Sequence, residues 1–294
     1  MKTNLTTPPE GAYWLASYPK SGNTWVRMFL NAYLTGSVDI NRTYITQSDV
    51  SLIDHQAATN QALNAFVPME ALYLRYAALL NAIKAKLSNP VIFKTHHARL
   101  KIHDVELIPK SLVKGAVYLV RDPRAVCVSY ARHMDIDIDT AIYRMNAAHT
   151  FLAKNTPVGH WTSTWSENVE SWQDATIVRY EDLLTQPEIE FTKILQAFDL
   201  SVDKRKIARA IKLTDKAELA KQEKAKGFRE TQNNTFFYGT PDWKETLSDV
   251  QVQQIELIHG EWMKKLGYLG DSHGTSIQQV QRISDINRPR RTSA

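Results

Sequence analysis

A basic loop near the beginning of the chain carries residue types that bind anions. It spans residues 17–25 and reads Ser-Tyr-Pro-Lys-Ser-Gly-Asn-Thr-Trp. Lys20 supplies a mobile positive charge, and Ser21 and Thr24 supply hydroxyl donors. Gly22 has no side chain, so the backbone can come close to a bulky oxyanion there. The loop is therefore predicted to bind a phosphate-like or sulfate-like group.

The residues on either side of this loop have the patterns of a strand and a helix. Residues 12–16, Ala-Tyr-Trp-Leu-Ala, are apolar and aromatic, which is typical of a buried strand. From Trp25 onwards apolar residues recur every three or four positions until Gly36, which indicates an amphipathic helix with a glycine stop. A strand, a loop and a helix in this order direct backbone N–H groups and the positive helix end at one place, which suits an anion. An ordinary strand-to-helix turn with a solvated lysine is the alternative.

Three further side chains that could bind a ligand or transfer a proton follow predicted strands. The strands are residues 91–94 before His96, residues 116–120 before Arg121 and residues 176–179 before Tyr180. Strands that alternate with helical patterns predict an α/β fold with a central parallel sheet flanked by helices. Ligands of such sheets bind beyond the carboxyl ends of the strands, which is where these side chains and Lys20 stand. We expect all four side chains to face one ligand site.

Helical patterns account for most of the remaining chain. The predicted helices are residues 68–87, a segment that begins at Pro123 with Asp122 as its cap, residues 139–154, residues 187–197, two between residues 203 and 223, and residues 248–266. Ser248 and Gln251 are placed as a capping box, and Gly267 stops the last helix. Residues 39–64 are polar and irregular, so we expect a long excursion with at most short helices there. The tryptophan-rich residues 160–172 are expected to combine loop with a short helix.

The composition limits the class of protein and its partners. The chain of 294 residues is 43% hydrophobic and 23% charged, which is ordinary for a globular protein with a substantial core. A single α/β domain over residues 1–270, followed by a disordered tail over residues 271–294, is the simplest organisation. The net charge of +5 fits a phosphate-bearing ligand but is too small to indicate a nucleic-acid partner.

Cysteine usage and hydropathy indicate a cytoplasmic protein without a metal centre. Cys127 is the single cysteine, so an internal disulfide and a cysteine-based zinc site are excluded and a reducing compartment is expected. No apolar stretch approaches the roughly 20 residues of a membrane span, and residues 1–9 lack the apolar run of a signal peptide. No cluster of side chains has the spacing of metal ligands, so we expect no metal.

Together, the motifs resemble those of sulfotransferases that use 3′-phosphoadenosine 5′-phosphosulfate (PAPS), over about residues 10–268. Pro-Lys-Ser-Gly-x-Thr-Trp is similar to the 5′-phosphosulfate loop of that family, which lies in a P-loop-like strand-loop-helix. The resemblance implies that the donor is contacted by Lys20, Ser21, Gly22, Asn23, Thr24 and Trp25. Arg121 and Ser129 lie eight apart, as do the arginine and serine that bind the 3′-phosphate in the family. Tyr180 and Thr214 fall, with Trp25, where the family contacts adenine.

The same resemblance implies catalytic roles. Residues 94–96, Lys-Thr-His, close a strand as the corresponding motif does in the family, which implies that His96 is the general base. Histidine suits that role because its unperturbed pKa, roughly 6.5, lies near working pH. Lys20 would stabilise the leaving oxygen, Lys94 would steady the transferred sulfuryl oxygens, and Ser129 would restrain Lys20 until the acceptor binds. The alternative bases are His97 and His133.

One motif departs from the family pattern. Residues 239–244, Gly-Thr-Pro-Asp-Trp-Lys, resemble the family's Gly-x-x-Gly-Asp-Trp-Lys imperfectly, with Gly239 as the nucleotide-binding position. The family carries an Arg-Lys-Gly run just before it, which clamps the 3′-phosphate, whereas this chain has Phe-Phe-Tyr-Gly at residues 236–239. Nearby basic residues either replace the missing pair or form a solvated helix face, namely Lys221, Lys224, Lys226 and Arg229.

The expected reaction is transfer of a sulfuryl group from PAPS to a hydroxyl of a small molecule, and less readily to an amine. The variable segments 39–64 and 133–172 are expected to frame that acceptor. Their aromatic side chains either line an apolar or ring-bearing pocket or belong to the core, and they are Tyr143, Phe151, Trp161 and Trp165. The sequence does not indicate an oligomeric state.

Two other functions stay open on the sequence alone. A small-molecule or nucleotide kinase also uses an anion loop on a parallel sheet, but this loop lacks the Gly-Lys spacing of a Walker A motif. The Arg121–Ser129 pair also favours a 3′-phosphate over ATP. A non-catalytic nucleotide-binding module would explain the missing Arg-Lys pair, although a pure binder has no use for Lys20 and His96.

Overall fold

The computed structural model describes residues 11–42, 91–102, 104–148, 161–229 and 241–270, together with Phe237, Gly239 and the backbone of residues 46–47, 151–152 and 160. The helix predicted at 68–87 and the tail at 271–294 lie outside the described residues. Both therefore stay predictions, as does the division of the chain into one domain and a tail.

A parallel sheet of five strands forms the centre of the described structure. The described strands are β1 (Ala12–Ser17), β2 (Thr46–Gln47), β3 (Ile92–Thr95), β4 (Lys101–Ile102), β5 (Val105–Glu106), β6 (Val113–Val120), β7 (Phe151–Leu152), β8 (His160–Trp161) and β9 (Thr176–Arg179). The sheet order is β2-β3-β1-β6-β9, and every neighbouring pair is parallel. The other four strands form two antiparallel pairs, β4 with β5 and β7 with β8.

Helices cover both faces of this sheet. The described helices are α1 (Asn23–Thr35), α2 (Pro123–Met134), α3 (Ile138–Asn146), α4 (Trp165–Ser171), α5 (Tyr180–Thr185), α6 (Pro187–Ala197), α7 (Lys204–Leu213), α8 (Lys216–Lys226), α9 (Trp243–Thr246) and α10 (Asp249–Lys265). Trp14 of β1 packs into a core cluster with α2, α3, α4 and α10, whereas Leu15 packs into a second cluster with α1, α6 and α7. Because both faces are buried, β1 is apolar or aromatic from Ala12 to Ala16. The predicted α/β fold class is confirmed.

The four longer strands of the sheet end at one edge. Their register places Ala16 level with Thr95, Ser17 level with Leu119, and Val120 level with Arg179. The segments that leave β1, β3, β6 and β9 therefore start side by side, as expected at the carboxyl edge of a parallel sheet. This register is what gathers the residues of the site.

Several helix ends follow the caps that the sequence indicates. The Asp122 side chain accepts a backbone N–H in the first turn of α2, with Pro123 at the first position. Ser248 and Gln251 form the predicted capping box of α10. Gly36 ends α1 in the left-handed conformation, at φ 76°. These local signals hold because each one satisfies backbone groups that a helix end leaves unpaired.

The helix predicted over residues 139–154 is wrong at its end. It spans Ile138–Asn146, and β7 follows it. Its buried side ends at Met145, and one turn later the sequence offers only Ala148 and His149. Without a larger apolar side chain to bury, tertiary packing does not extend the helix, and packing supplies most helical stability in proteins.

The stretch of residues 39–64 also differs from expectation, because it contains β2 rather than only loop and short helices. This strand is two residues long and pairs with β3 through its backbone, so it is too short to show a side-chain pattern in the sequence. The tryptophan-rich residues 160–172 contain the expected short helix, α4, preceded by β8. The helices α5 and α9 are too short to show a period in the sequence, and neither was predicted.

A buried imidazole on α10 makes the stability of the fold depend on pH. The His259 ring is fully buried, its Nδ1 lies 2.8 Å from the Ser166 hydroxyl oxygen, and its centroid lies 5.4 Å from that of the Trp165 ring. Burial lowers the pKa of His259 from 6.5 to about 3, and the nearby Glu167 carboxylate opposes this only in part. The folded protein therefore holds a neutral ring at pH values where the unfolded chain is protonated.

We predict that the free energy of unfolding falls as the pH drops below the unfolded-state pKa of His259, because only the unfolded chain then binds the proton. Between about pH 6.5 and pH 5 the loss due to His259 is about 1.6 kcal/mol, because the slope rises from half of ~1.4 kcal/mol per pH unit at pH 6.5 to nearly the full value at pH 5. Urea unfolding at both pH values measures this loss, with His259→Gln as the control. Between the two pH values, the free energy of unfolding of the variant should fall less than that of the unaltered protein, and the difference should be about the loss due to His259. Equal losses in the two proteins would contradict the prediction.

Candidate active site

The anion loop between β1 and α1 turns through two residues in the left-handed conformation. Lys20 has φ 70° and Gly22 has φ 96°. A Cβ atom on Gly22 would lie 2.6 Å from Cδ2 of Tyr180, so only glycine fits both the backbone conformation and the contact. The aromatic ring that follows β9 therefore lies directly against the loop that follows β1.

Asn23 ties the loop to the strand that precedes it. Its side-chain nitrogen donates to the Leu15 carbonyl at 3.3 Å and to the Ser17 hydroxyl at 3.2 Å. The Ser21 hydroxyl and the Asn23 side-chain oxygen are buried and have no hydrogen-bond partner among the described residues. Buried polar groups are normally paired. The buried Ser21 hydroxyl can donate to a sulfate or phosphate oxygen bound at this loop.

His96 is held with a defined tautomer beside the loop. Its Nδ1 lies 2.8 Å from the Ser17 carbonyl oxygen and 3.2 Å from the Ser17 hydroxyl oxygen. A carbonyl only accepts, so Nδ1 carries the proton and, in the neutral ring, Nε2 carries the lone pair. Asn168 donates to the His96 carbonyl at 3.1 Å and fixes the backbone on the other side. The arrangement gives a proton acceptor at the carboxyl edge of the sheet.

Arg121 joins the end of β6 to the loop and to Tyr180. Its Nη1 donates to the Lys20 carbonyl at 3.1 Å, and its Cζ lies 4.6 Å from the centroid of the Tyr180 ring. A guanidinium uses few of its five N–H groups in such contacts, so it can also bind a phosphate in a forked manner. The predicted convergence of the loop, Arg121 and Tyr180 is thus present in the structure.

Trp25 contacts both of the other residues that are expected at the adenine, Tyr180 and Thr214. The Trp25 Nε1 donates to the Thr214 carbonyl at 3.0 Å, and the Trp25 ring meets the Tyr180 ring edge to face at 6.2 Å between centroids. The Thr214 side chain is buried, and its hydroxyl donates to the Ala210 carbonyl at 2.8 Å. Thr214 therefore belongs to this group through its backbone rather than its hydroxyl.

Two residues with predicted catalytic roles are nearly buried. Lys94 is 7% exposed and level with Leu15 in the sheet, so its side chain leaves on the α1 side. Ser129 is also 7% exposed and lies in the second turn of α2. Gly239, a predicted nucleotide-binding residue, has φ 88°. Its carbonyl oxygen accepts a hydrogen bond from Arg132, which lies on α2 like Ser129. The structure thus places these residues without testing their roles.

The chain matches the family model of the sulfotransferase domain over residues 10–267. It belongs to the sulfotransferase domain family. This sulfotransferase is 22% identical to Sulfotransferase 1B1 of Mus musculus over 273 residues, which cover 85% of this chain and 81% of that protein. It is 24% identical to Cytosolic sulfotransferase 10 of Arabidopsis thaliana over 281 residues, or 88% of this chain and 80% of that protein.

Solved structures share the fold of this sulfotransferase. Mouse sulfotransferase SULT7A1 complexed with PAP has a TM-score of 0.55 and 14% identity, with 94% of this chain and 89% of that chain covered. Retinol dehydratase in complex with androsterone and inactive cofactor PAP has a TM-score of 0.52 and 16% identity, with 91% and 83% covered. The expected family is confirmed, the protein is a PAPS-dependent sulfotransferase, and the kinase alternative is not favoured.

A buried charge network that the sequence did not reveal supports the site of this sulfotransferase. The Arg124 guanidinium binds Asp122 and Glu256, each at 2.7 Å, and the Tyr268 carbonyl at 3.0 Å. Burial lowers the pKa of Arg124, but the two carboxylates outweigh it, so its pKa is raised and the charge is kept. The Tyr268 hydroxyl in turn donates to Glu181 at 2.9 Å.

This network connects the ends of β6 and β9. The second carboxylate oxygen of Glu181 accepts the backbone N–H of Asp122 at 3.1 Å, so the residues after Arg121 and Tyr180 are clamped together. Arg124 belongs to the recognisable Arg-Asp-Pro-Arg run, but no local pattern points to Tyr268, which lies far along the chain. Its part depends on tertiary contacts alone.

The aromatic side chains proposed for an acceptor pocket divide into different environments. Trp165 is fully buried in the core, whereas Tyr143 is 74% exposed. Trp161 is half-buried and stacks on the His97 ring at 6.0 Å between centroids. The side chain of Phe151 lies outside the described residues. Trp165 is thus a core residue, and the others stay predictions as acceptor contacts.

Three further features of the described residues concern metal binding, membrane insertion and His97. Within the described residues no group of three or more histidine, cysteine or acidic side chains is placed to hold a metal ion. No helix in the same part of the chain is long and apolar enough to cross a membrane. His97 is buried, and its Nδ1 accepts the backbone N–H of Trp161 at 3.0 Å, so this ring nitrogen already joins two segments of the fold.

Proposed function

We propose that this sulfotransferase moves the sulfuryl group in line onto a hydroxyl of a small molecule, with His96 as general base and Lys20 at the leaving oxygen. The observation that carries this proposal is the hydrogen bond from His96 Nδ1 to the Ser17 carbonyl at 2.8 Å. It holds a proton-accepting nitrogen next to the loop that fits the phosphosulfate. Base and anion site therefore belong to one rigid strand edge.

The role of His96 follows from its tautomer. When bound, PAPS supplies a sulfuryl group, and transfer forms an acceptor-oxygen-to-sulfur bond while the bond from sulfur to the bridging oxygen breaks. His96 Nε2 takes the hydroxyl proton as the acceptor oxygen becomes bonded to sulfur. The Ser17 carbonyl then stabilises the resulting imidazolium, because it accepts the Nδ1 proton throughout.

Lys20 and the loop act on the other side of the transfer. Negative charge grows on the bridging oxygen, and preorganised donors aimed at such charge are usually the largest catalytic contribution. Lys20 supplies a full positive charge, and the loop N–H groups and Thr24 supply hydrogen bonds. Lys94 is proposed to steady the transferred oxygens, and Ser129 to restrain Lys20 until the acceptor is bound.

The remaining residues are proposed to bind the nucleotide. Arg121 and Ser129 hold the 3′-phosphate, and Trp25 and Tyr180 frame the adenine. The edge-to-face contact of the two rings and the bond from Trp25 to the Thr214 carbonyl support this, because they form a prearranged aromatic site. Stacking of a base on an aromatic ring contributes about 1–3 kcal/mol on the scale measured for single-stranded nucleic acids.

A transfer assay tests the proposed reaction. The protein is incubated with radiolabelled PAPS and a panel of phenols, alcohols, sugars, hydroxyl-bearing peptides and amines. We expect label in the product of at least one hydroxyl class. Tight binding of PAP without transfer to any acceptor would instead support the non-catalytic module. Thermal unfolding with PAPS and with Mg-ATP provides a second readout, because only a ligand of the native state raises the melting temperature.

Arg121→Ala is predicted to weaken binding of 3′-phosphoadenosine 5′-phosphate (PAP) by at least ~10-fold, the scale of a charge-assisted hydrogen bond. Isothermal titration with PAP and with 5′-AMP separates the two contacts of Arg121. A selective loss of PAP affinity supports a contact with the 3′-phosphate, whereas an equal loss for both nucleotides would show that Arg121 only supports the Lys20 carbonyl. Arg121→Lys keeps the charge and should retain part of the preference for PAP.

The acceptor is proposed to be an apolar or ring-bearing alcohol. Two structures of the same fold support this, because retinol dehydratase was solved with androsterone and with retinol. A cytoplasmic location is proposed as well, since two of the relatives are named cytosolic sulfotransferases. The acceptor panel tests the first proposal, and cell fractionation tests the second.

A further inference from the structure

Phe237, which lies in the segment where the family carries its Arg-Lys pair, is buried in this chain. The backbone N–H of Phe237 donates to the Glu223 carboxylate at 2.9 Å. The Phe237 ring is 7% exposed and lies 5.2 Å from the Phe228 ring, in a small core cluster with Met28. Phe237 therefore packs in one cluster with Met28 of α1 and Leu219 of α8, and its side chain supplies no charge to the nucleotide.

Two cations from other elements meet this segment at Gly239. The Arg132 guanidinium donates to the Gly239 carbonyl. A Cβ atom placed on Gly239 would lie 2.6 Å from the Lys216 ammonium nitrogen. A side chain at this position would displace the ammonium, and the positive φ of Gly239 also favours glycine. Because Gly239 has no side chain, the Lys216 ammonium can lie next to it, and the Gly239 carbonyl accepts a hydrogen bond from Arg132.

The helices that carry these cations also carry nucleotide residues. Arg132 follows Ser129 by three positions on α2, so the two lie on one face of that helix. Lys216 begins α8, two residues after Thr214, whose carbonyl receives the Trp25 N–H. Arg132 therefore shares a helix with the residue matched to the 3′-phosphate, and Lys216 follows closely after a residue matched to adenine.

Two of the four basic residues that the sequence suggested as substitutes form ion pairs elsewhere. Lys221 is paired with Glu218 at 2.6 Å, and Lys226 is paired with Asp39 at 2.6 Å. The hydrogen bond from Lys226 is the main cause that lowers the pKa of Asp39, which keeps this carboxylate charged. Lys221 and Lys226 both lie farther along α8 than Lys216, and each is already paired with a carboxylate.

We propose that Arg132 and Lys216 together hold the 3′-phosphate of the nucleotide, in place of the Arg-Lys pair that this chain lacks. This inference rests on PAPS as the donor. A phosphate monoester carries nearly two negative charges, and a guanidinium fork and an ammonium point charge complement one another on it. Both side chains are exposed, so a ligand phosphate can reach them. The 3′-phosphate would then be bound by Arg121, Ser129, Arg132 and Lys216.

Titration calorimetry with PAP and with 5′-AMP tests the pair, because the two nucleotides differ only in the 3′-phosphate. Arg132→Ala and Lys216→Ala are each expected to weaken PAP binding by ~10-fold, and the double variant by more than either. Their affinity for 5′-AMP should stay within about twofold of that of the unaltered protein. Lys221→Ala removes a lysine of the same helix and should change neither affinity.

The outcomes separate this inference from the donor assignment. Unchanged PAP affinity in both single variants, or an equal loss for 5′-AMP, would overturn the pair while the unaltered protein still preferred PAP. An unaltered protein without any preference for PAP over 5′-AMP would overturn the donor assignment and the pair with it. Arg132→Lys keeps a charge but loses the fork, so it should recover part of the PAP affinity lost in Arg132→Ala.

Discussion

His96→Ala is expected to lower kcat by at least ~10²-fold, which is the usual scale for removal of a general base. The reason lies in the tautomer: Nδ1 donates to the Ser17 carbonyl at 2.8 Å, so Nε2 is the nitrogen that accepts the hydroxyl proton. Affinity for PAP should change little, because the base acts on the acceptor. Initial rates with the best acceptor of the panel and PAP titrations measure the two quantities separately.

His133→Ala is the matched control, because His133 was an alternative base and lies on α2. It should keep most of the activity. The melting temperature of His96→Ala should stay close to that of the unaltered protein, since His96 is only half-buried. A rate near that of the unaltered protein in His96→Ala, or a larger loss in His133→Ala, would show that the base is assigned to the wrong residue.

The strand edge of this site was predictable from the sequence for a simple reason. Buried parallel strands are largely apolar runs, so the predicted strands end close to where polar residues begin, as at Arg121 after β6. Parallel pairing then places those ends together. The loop, His96, Arg121 and Tyr180 therefore converge as expected, because chain order and local pattern determine that much.

Contacts between distant segments were not predictable in the same way. Tyr268 joins the site through Glu181, and Arg132 through Gly239, across more than eighty residues of sequence in each case. In neither pair does the local sequence around one residue indicate that it contacts the other. Thr214 illustrates the same limit, because its residue type suggests a hydroxyl ligand whereas its carbonyl makes the contact to Trp25.

The errors in secondary structure have a related origin. The predicted helix over residues 139–154 is too long, because the polar and small residues after Met145 are locally compatible with a helix. Whether such residues continue a helix depends on what they pack against, and packing is set by the rest of the fold. The strand β2 is the opposite case, in which backbone pairing to β3 imposes a conformation that its side chains do not signal.

Lys20→Ala is expected to lower kcat by at least ~10²-fold, since Lys20 supplies the charge that stabilises the leaving oxygen. The backbone of the loop should persist, because the hydrogen bond from Arg121 reaches the Lys20 carbonyl rather than its side chain. PAP should still bind, although less tightly, and the melting temperature should barely move. Lys20→Arg keeps a positive charge and should retain more activity than Lys20→Ala.

Lys221→Ala serves as the charge control for this experiment, because it removes a lysine that is paired with Glu218 outside the site. Single-turnover rates at saturating PAPS distinguish a loss in the chemical step from a loss in binding. A single-turnover rate of Lys20→Ala close to that of the unaltered protein would remove Lys20 from the chemical step. The loop would then be a binding element only, and the charge on the leaving oxygen would have to be met by its N–H groups and Thr24.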